Sequence, residues 1–380
     1  MGKKKTPQEL AAEINKLVPG AVMMGSDPSL EMSVLPTGVL PIDYLLRGGL
    51  PRGRMVEIYG DFSTLKTYIA LRGIAHTQQH NGSAALVDTE HAFDADWARS
   101  CGVQVEDLIL LHPPNGETAV DAAELLLRDT STDLLVFDSV AAILPKSEQE
   151  TKISEKTPQP ARLAALMSLA LRKLTAANQG RTALLWINQT RMNIGVSFGN
   201  PETVPGGKAL PFYASWRLSL RKAGRVTVDS SVFDGSKMKS VKETRRQTIR
   251  AYTEKSKLDR PYSEAYFDFD LTSGDIDEVA FMVNLGVGQG VVTKNGAMWN
   301  LKGYPAVRGI ENFRNTIDAS ELAAMLDLNG AVWIPPTMGT QSSPVLVGEQ
   351  LVLSKPAETA KPKSLKRSAL GSTPTVARGE

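Results

Sequence analysis

One cysteine, Cys101, stands among 380 residues, so no intramolecular disulfide can form. This suits a reducing cytosol. Histidine is also scarce: His76, His80, His91 and His112 are the only four. With one thiol, they argue against a structural zinc site. The i, i+4 pair His76 and His80 is expected on the outer face of a helix. No apolar run reaches the roughly 18 residues a membrane span requires. The opening MGKKKTPQEL carries no apolar core of a secretory signal, so no membrane partner is expected. Nor is there a surplus of one charge. The formal net charge is +2, so any nucleic-acid site must come from local arrangement. With 42% apolar and 22% charged residues, the chain has the make-up of a soluble globular protein. Its length allows one large core with small appendages.

What is present is an alternation. MVEIYG, SAALVD, LILLH, DLLVFD and TALLWIN are strand-length runs rich in Val, Ile and Leu. Helix-period segments such as Glu117 to Asp129 and Ala161 to Asn178 lie between them. Strands alternating with helices imply βαβ units and a mostly parallel sheet, which binds ligands beyond the carboxyl ends of its strands. Four polar clusters fall at such ends: GDFSTLKT (Gly60 to Thr67), Asp88 to Glu90, Asp138 with Ser139, and Asn188 with Gln189. An amphipathic helix over Thr6 to Leu17 precedes the core, with Leu10, Ile14 and Leu17 on one stripe. It packs on the core or reaches a neighbouring subunit. ASWRLSLR and EAYFDFDL read as further strands.

Two long irregular stretches, near 145–162 and 190–211, follow neighbouring strands on the ligand side, which points to a shared binding role. The second is rich in Gly, Pro and Asn. Beyond about 339 the chain is proline-bearing and free of aromatics, as a disordered tail would be. From Thr340 it carries six basic residues against three acidic ones. The expected division is a helix and linker for oligomerisation over 1–35, a core over 36–271, a small C-terminal α/β domain over 272–338, and a disordered basic tail over 339–380.

GDFSTLKT approximates the phosphate-loop pattern G-x-x-x-x-G-K-[ST], with Leu65 in place of the second glycine. In such a loop the amides of Asp61, Phe62, Ser63, Thr64, Leu65, Lys66 and Thr67 wrap phosphate after the turn at Gly60. Lys66 meets the β- and γ-phosphates, and the Thr67 hydroxyl ligates Mg²⁺. Asp138 is placed to hold that Mg²⁺ through water and Glu90 to orient or deprotonate an attacking water; Gln189 is placed to touch the γ-phosphate. If residue 65 needs left-handed angles, leucine costs about 1–2 kcal/mol there.

Several longer blocks carry a resemblance. VEIYG, DTEHAFD (Asp88 to Asp94), FDSVAAILPKSE (Phe137 to Glu148), TGVLPIDYLLRGGLPRGR and, above all, INQTRMNIGVSFGNPETVPGGKALPFYAS (Ile187 to Ser215) resemble the RecA recombinases. The resemblance covers roughly Thr6 to Leu328. It implies a RecA-like P-loop NTPase core with a helical N-terminal extension. It further implies a DNA-dependent ATPase that uses ATP and Mg²⁺, forms a helical filament on single-stranded DNA, and pairs it with double-stranded DNA for strand exchange. Position by position, it implies catalysis by Glu90, Lys66 and Gln189, and magnesium held by Thr67 and Asp138. Tyr68, Asp94 and Trp97 join the phosphate loop around the nucleotide, and Lys255 and Lys257 reach a neighbour's ATP. Phe212 and Arg217 fall at the subunit interface. DNA contacts fall at Arg162, and at Arg191, Met192, Asn193, Ile194, Gly195, Val196, Phe198, Gly199, Asn200, Gly206, Gly207 and Lys208. A single-stranded-DNA-binding protein and loading mediators are the implied helpers. The expected place is the bacterial cytoplasm, with Leu65 leaning towards a phage-encoded member. Departures from the family pattern are Leu65, Pro211 where it has an interface lysine, the stretch ETKISEKTPQPA, and the basic tail. Two other readings remain at this point: a filament or mediator protein that has lost its ATPase, and a ring-forming helicase on the same core.

Overall fold

The computed structural model describes residues 4–152, 154, 160–192, 202–233, 237–332, 345–347 and 350–352. Its centre is a nine-stranded sheet. In chain order the strands are β1 (Met55–Gly60), β2 (Ala84–Asp88), β3 (Ile109–Leu111), β4 (Leu134–Asp138), β5 (Ala183–Gln189), β6 (Trp216–Phe233), β7 (Met238–Ser256), β8 (Glu264–Asp270) and β9 (Asp275–Ile276). Their order across the sheet is β9-β8-β7-β6-β1-β5-β4-β2-β3. Every pairing from β6 to β3 is parallel, and those from β6 to β9 are antiparallel. All five apolar runs are strands of the parallel part.

The reason is burial on both faces. Alternate residues of one strand point to opposite sides. Thus Leu135, Phe137, Leu184 and Trp186 join one apolar cluster, while Leu134, Val136, Leu185 and Ile187 join another. Helix α1 (Lys66–Gln79) fills the second cluster with Ile69, Leu71 and Ile74, and is buried nearly all round. His76 therefore does not lie on an outer face: it is 6% exposed, and burial pushes its imidazole down to about 4. Helices α2 (Gly116–Asp129) and α3 (Pro160–Ala177) cover the other face.

The segment after Thr272 contains helix α4 (Glu278–Gln289) and a three-stranded antiparallel sheet. Its buried Phe281, Met282, Val292, Trp299, Leu301 and Phe313 continue the cluster on the α1 face. Arg314 also pairs with Asp277, and Glu278 accepts from the Leu40 amide at 2.8 Å. The N-terminal helix, Pro7–Leu17, is closed by a capping box between Thr6 and Glu9, yet buries none of its residues. Most of the expected tail lies outside the described residues; within it, Val345–Val347 pairs with Gln350–Val352.

Beyond the sheet body, β6 and β7 run on as a two-stranded arm. From Arg221 to Asp229, and over most of 237–245, its residues are exposed. Val226 and Val228 alternate with polar residues along it, but both are exposed, so the alternation marks a strand and not a core face.

Candidate nucleotide site and DNA-facing loops

The four polar clusters converge on one edge of the sheet, because parallel register sets their strand ends side by side. Gly60 pairs with Gln189, and Asp88 with Asp138. Gly60 also faces Leu220 of β6, and a Cβ there would come within 2.2 Å of the Leu220 carbonyl oxygen. Glycine is thus required where the loop leaves β1. Leu65 adopts φ 70°, ψ 17°, the left-handed conformation, and Ser63 also has positive φ. The loop keeps its shape with leucine in the strained place, and the Leu65 side chain packs against the larger apolar cluster.

Lys66 is buried, which lowers its pKa. Its amine donates to the loop's own carbonyls, Gly60 at 3.0 Å and Asp61 at 2.6 Å. The Thr67 hydroxyl donates to Asp138 Oδ2 at 2.7 Å. Burial pushes the Asp138 carboxyl up to about 6, and nearby Glu90 adds to the rise. A hydroxyl and one carboxylate form a hard-oxygen pair. Among the described residues no cluster of three or more His, Cys, Asp or Glu makes a cage. This donor set fits Mg²⁺, which keeps waters and substrate phosphate oxygens around itself.

Glu90 stands between two strand ends. Its Oε1 accepts from Gln189 Nε2 at 2.7 Å and from the Ser139 hydroxyl. Its backbone amide donates to Asp88 Oδ1 at 3.1 Å, while Asp88 Oδ2 accepts from the Phe93 amide. Ser139 and Asp88 are therefore orienting groups that the motif did not single out. A polar residue at a strand's carboxyl end was the available signal.

A cavity of about 850 Å³ opens beside the loop, lined by Leu65, Lys66, Thr67, Asp94, Trp97 and Phe269 among others. Tyr68 places its ring 6.4 Å from Trp97 and 5.1 Å from Phe269, and its hydroxyl bonds Asp275. The Asp94 carboxylate accepts from the Trp97 amide at 2.7 Å and so caps the helix Ala95–Ser100.

The remaining expected residues lie elsewhere. Lys255 and Lys257 sit toward the opposite edge of the sheet, since Lys255 pairs with Arg217 near the start of β6. Their amines donate to carbonyls of Pro211, Phe212 and Tyr213. Within one chain they are not brought to the phosphate loop. Phe212 is 69% exposed, whereas Arg217 turns inward. Arg217 Nε donates at 2.6 Å to Glu57, which is fully buried, and its Nη1 bonds Glu254. Asn188 donates to the same Glu57 at 3.0 Å and to the Pro205 carbonyl at 3.2 Å. This network joins the strand before the phosphate loop to the far root of the 190–211 stretch.

In that stretch Arg191 and Met192 are exposed and pair with Thr203 and Glu202. Residues Asn193, Ile194, Gly195, Val196, Phe198, Gly199 and Asn200 lie outside the described residues. Gly206 and Gly207 have positive φ and press on Val140 and Ala164, where a Cβ would come within 2.8 Å. Lys208 precedes the short helix Ala209–Tyr213. Arg162, at the start of α3, donates to the Ser147 carbonyl at 2.9 Å.

Comparison with known proteins identifies the family. The family model of the RecA N-terminal domain matches residues 8–274. The chain belongs to the RecA family of recombinases. Protein RecA of Thermus thermophilus is 44% identical over 284 residues, 74% of this chain and 79% of that protein. Protein RecA of Syntrophus aciditrophicus is 41% identical over 300 residues, 78% and 83% of the two chains. For Nitrobacter winogradskyi the figures are 37% over 333 residues, 87% and 85%. The recombination and repair role expected of the sequence is thus that of its family, with ATP and DNA as ligands. Among the described residues no helix is long and apolar enough to cross a membrane.

Proposed function

We propose that this RecA-family chain polymerises on single-stranded DNA and drives homologous pairing and strand exchange with ATP hydrolysis that depends on DNA. The observation that carries the reading is the 2.7 Å hydrogen bond from Gln189 to Glu90. It joins the carboxylate beside the phosphate loop to the strand end from which the 190–211 stretch departs. Occupancy of the nucleotide site and the position of a DNA strand can then bias one two-state element.

Lys66 and the loop amides bind the triphosphate, and Lys66 leaves its two carbonyl partners to do so. Thr67 and Asp138 hold Mg²⁺, which neutralises phosphate charge when bound. Ser139, Asp88 and Gln189 orient Glu90, which takes the proton of the attacking water. Lys255 and Lys257 reach the nucleotide of the next subunit, consistent with their distance from the phosphate loop of their own. Exposed Phe212 and the open apolar stripe of Leu10, Ile14 and Leu17 are surfaces for that neighbour. Exposed Arg191 and Met192 and the Gly206–Gly207 turn frame the DNA contact.

The test is phosphate release from ATP and Mg²⁺, with and without single-stranded DNA, for wild type and Glu90→Gln. Release should rise with DNA and fall by about 100-fold or more in the variant. DNA binding without any hydrolysis in the wild type would instead mean a structural filament protein.

A further inference from the structure

The nucleotide cavity has a second basic side that no phosphate-loop pattern contains. It is lined not only by the loop but also by Lys222, Arg225, Thr244 and Gln247, where the β6–β7 arm leaves the sheet. Lys222 and Arg225 are exposed. Among the described residues neither has a carboxylate within ion-pair distance, whereas Arg217 and Arg221 on the same strand are so paired. Lys222 is not free to wander: its amine lies 4.0 Å from the centroid of the Phe62 ring. Phe62 is itself anomalous, a 77% exposed aromatic on the polar phosphate loop. A cation held on an aromatic face keeps its charge while losing rotamer freedom. Two cations left without anions beside a phosphate cradle are arranged for an anion that arrives with the ligand.

We propose that Lys222 and Arg225 are polyphosphate-binding residues acting in the same subunit as Lys66, with Phe62 as the positioning residue that holds Lys222 over the phosphate loop. The proposal rests on the reading of Gly60 to Thr67 as the nucleotide site and adds a second side to it. The root of the arm then does for the nucleotide what a flexible lysine alone would do poorly. It supplies charge from a sheet-anchored position, so less freedom is lost on binding. The Phe62 ring further ties the placement of Lys222 to the shape of the loop, so a loop closed on phosphate and an empty loop present the cation differently.

The test is equilibrium binding of fluorescent ATP and AMP analogues to the full chain with Mg²⁺ and without DNA. The proteins are wild type, Lys66→Ala, Lys222→Ala, Lys222→Arg, Arg225→Ala, Phe62→Leu and Phe62→Tyr. Loss of either cation should weaken the triphosphate about tenfold, the scale of one charge-assisted contact, and leave the monophosphate analogue within about twofold. Lys222→Arg should restore binding. Phe62→Leu should lower triphosphate affinity and Phe62→Tyr should keep it, a split that mere loop damage does not produce. Undiminished triphosphate affinity in Lys222→Ala and Arg225→Ala overturns the proposal. If single-stranded DNA affinity then falls instead, the pair serves the DNA backbone. A wild type that binds no ATP analogue, or a Lys66→Ala variant that binds as well as wild type, overturns the nucleotide-site reading itself, and the proposal with it.

Discussion

The two halves of the central sheet follow different rules. In the parallel half the central strands β1, β5, β4 and β2 are covered on both faces, so each is a mainly apolar run that gives way to polar residues at its carboxyl end. The polar stop is where the ligand edge begins. From β6 to β9 the sheet is antiparallel, and its longest strands leave the core as a solvated arm. One half hides its sequence in the interior and reveals function at the ends; the other carries charge along its length and reveals little. A site between the two halves draws on both kinds of residue.

That difference decided what could be read in advance. Asp138, Glu90 and Gln189 were legible because each ends, or closely follows, an apolar run, and Lys66 and Thr67 because they close the phosphate-loop pattern that follows another. The structure brings all five together. Lys222 and Arg225 were not, since a lysine and an arginine in RKAGRVTV look like any solvated strand face. Glu57 was hidden for another reason: one acidic residue inside MVEIYG has no partner nearby in sequence. Arg217 lies 160 residues further on, and only the β1–β6 pairing brings it close. His76 was misplaced because its i, i+4 spacing fits an outer face equally well, and only the packing of α1 between the sheet and its neighbours buries it.

The largest expected effect lies in the parallel half. Lys66→Ala should lower nucleotide affinity on the order of a hundredfold, since two charge-assisted contacts to phosphate are lost. Nucleotide-dependent filaments should then be absent by electron microscopy. Filaments of normal length at saturating ATP would break the assignment of this edge. Next is the seam between the halves. Glu57→Ala takes from Arg217, mostly buried, its buried carboxylate, leaving only the more exposed Glu254, and leaves Asn188 with only the Pro205 carbonyl. Breaking such a pair costs about 3–5 kcal/mol, readable as a lower midpoint in urea. A loss under about 1 kcal/mol would show that the seam relaxes freely around the gap.

Asp138 separates stability from function. Its carboxyl has a folded pKa near 6, above its ordinary value of 3.8, so the folded chain holds this proton more tightly than the unfolded one. The charged form therefore weakens the fold, fully above about pH 6, and the penalty fades as pH falls towards 4. Asp138→Asn should raise the melting temperature at pH 7.5 and lose that advantage near pH 4, while magnesium-dependent hydrolysis disappears. In wild type, the Mg²⁺ needed for half-maximal hydrolysis should climb as pH drops through 6, because protons compete for the carboxylate. A variant less stable than wild type at neutral pH would contradict this balance.

The smallest effect tests how the loop tolerates leucine. Left-handed angles at Leu65 cost about 1–2 kcal/mol, while its half-buried side chain returns about 1 kcal/mol by packing on the core cluster. Leu65→Ala keeps the backbone penalty and loses the packing, so it should destabilise by about 1 kcal/mol. Leu65→Gly loses the same packing but removes the penalty, and differs from alanine also by about 0.4–1 kcal/mol of extra unfolded-chain freedom. The glycine variant should therefore be at least as stable as the alanine variant, against the usual order in which glycine is worse. Denaturant midpoints with alanine clearly above glycine would mean that residue 65 carries no left-handed strain in solution. The opposite order would mean that the parallel half accommodates a departure from the phosphate-loop pattern by packing, leaving the amide cradle and Lys66 in place.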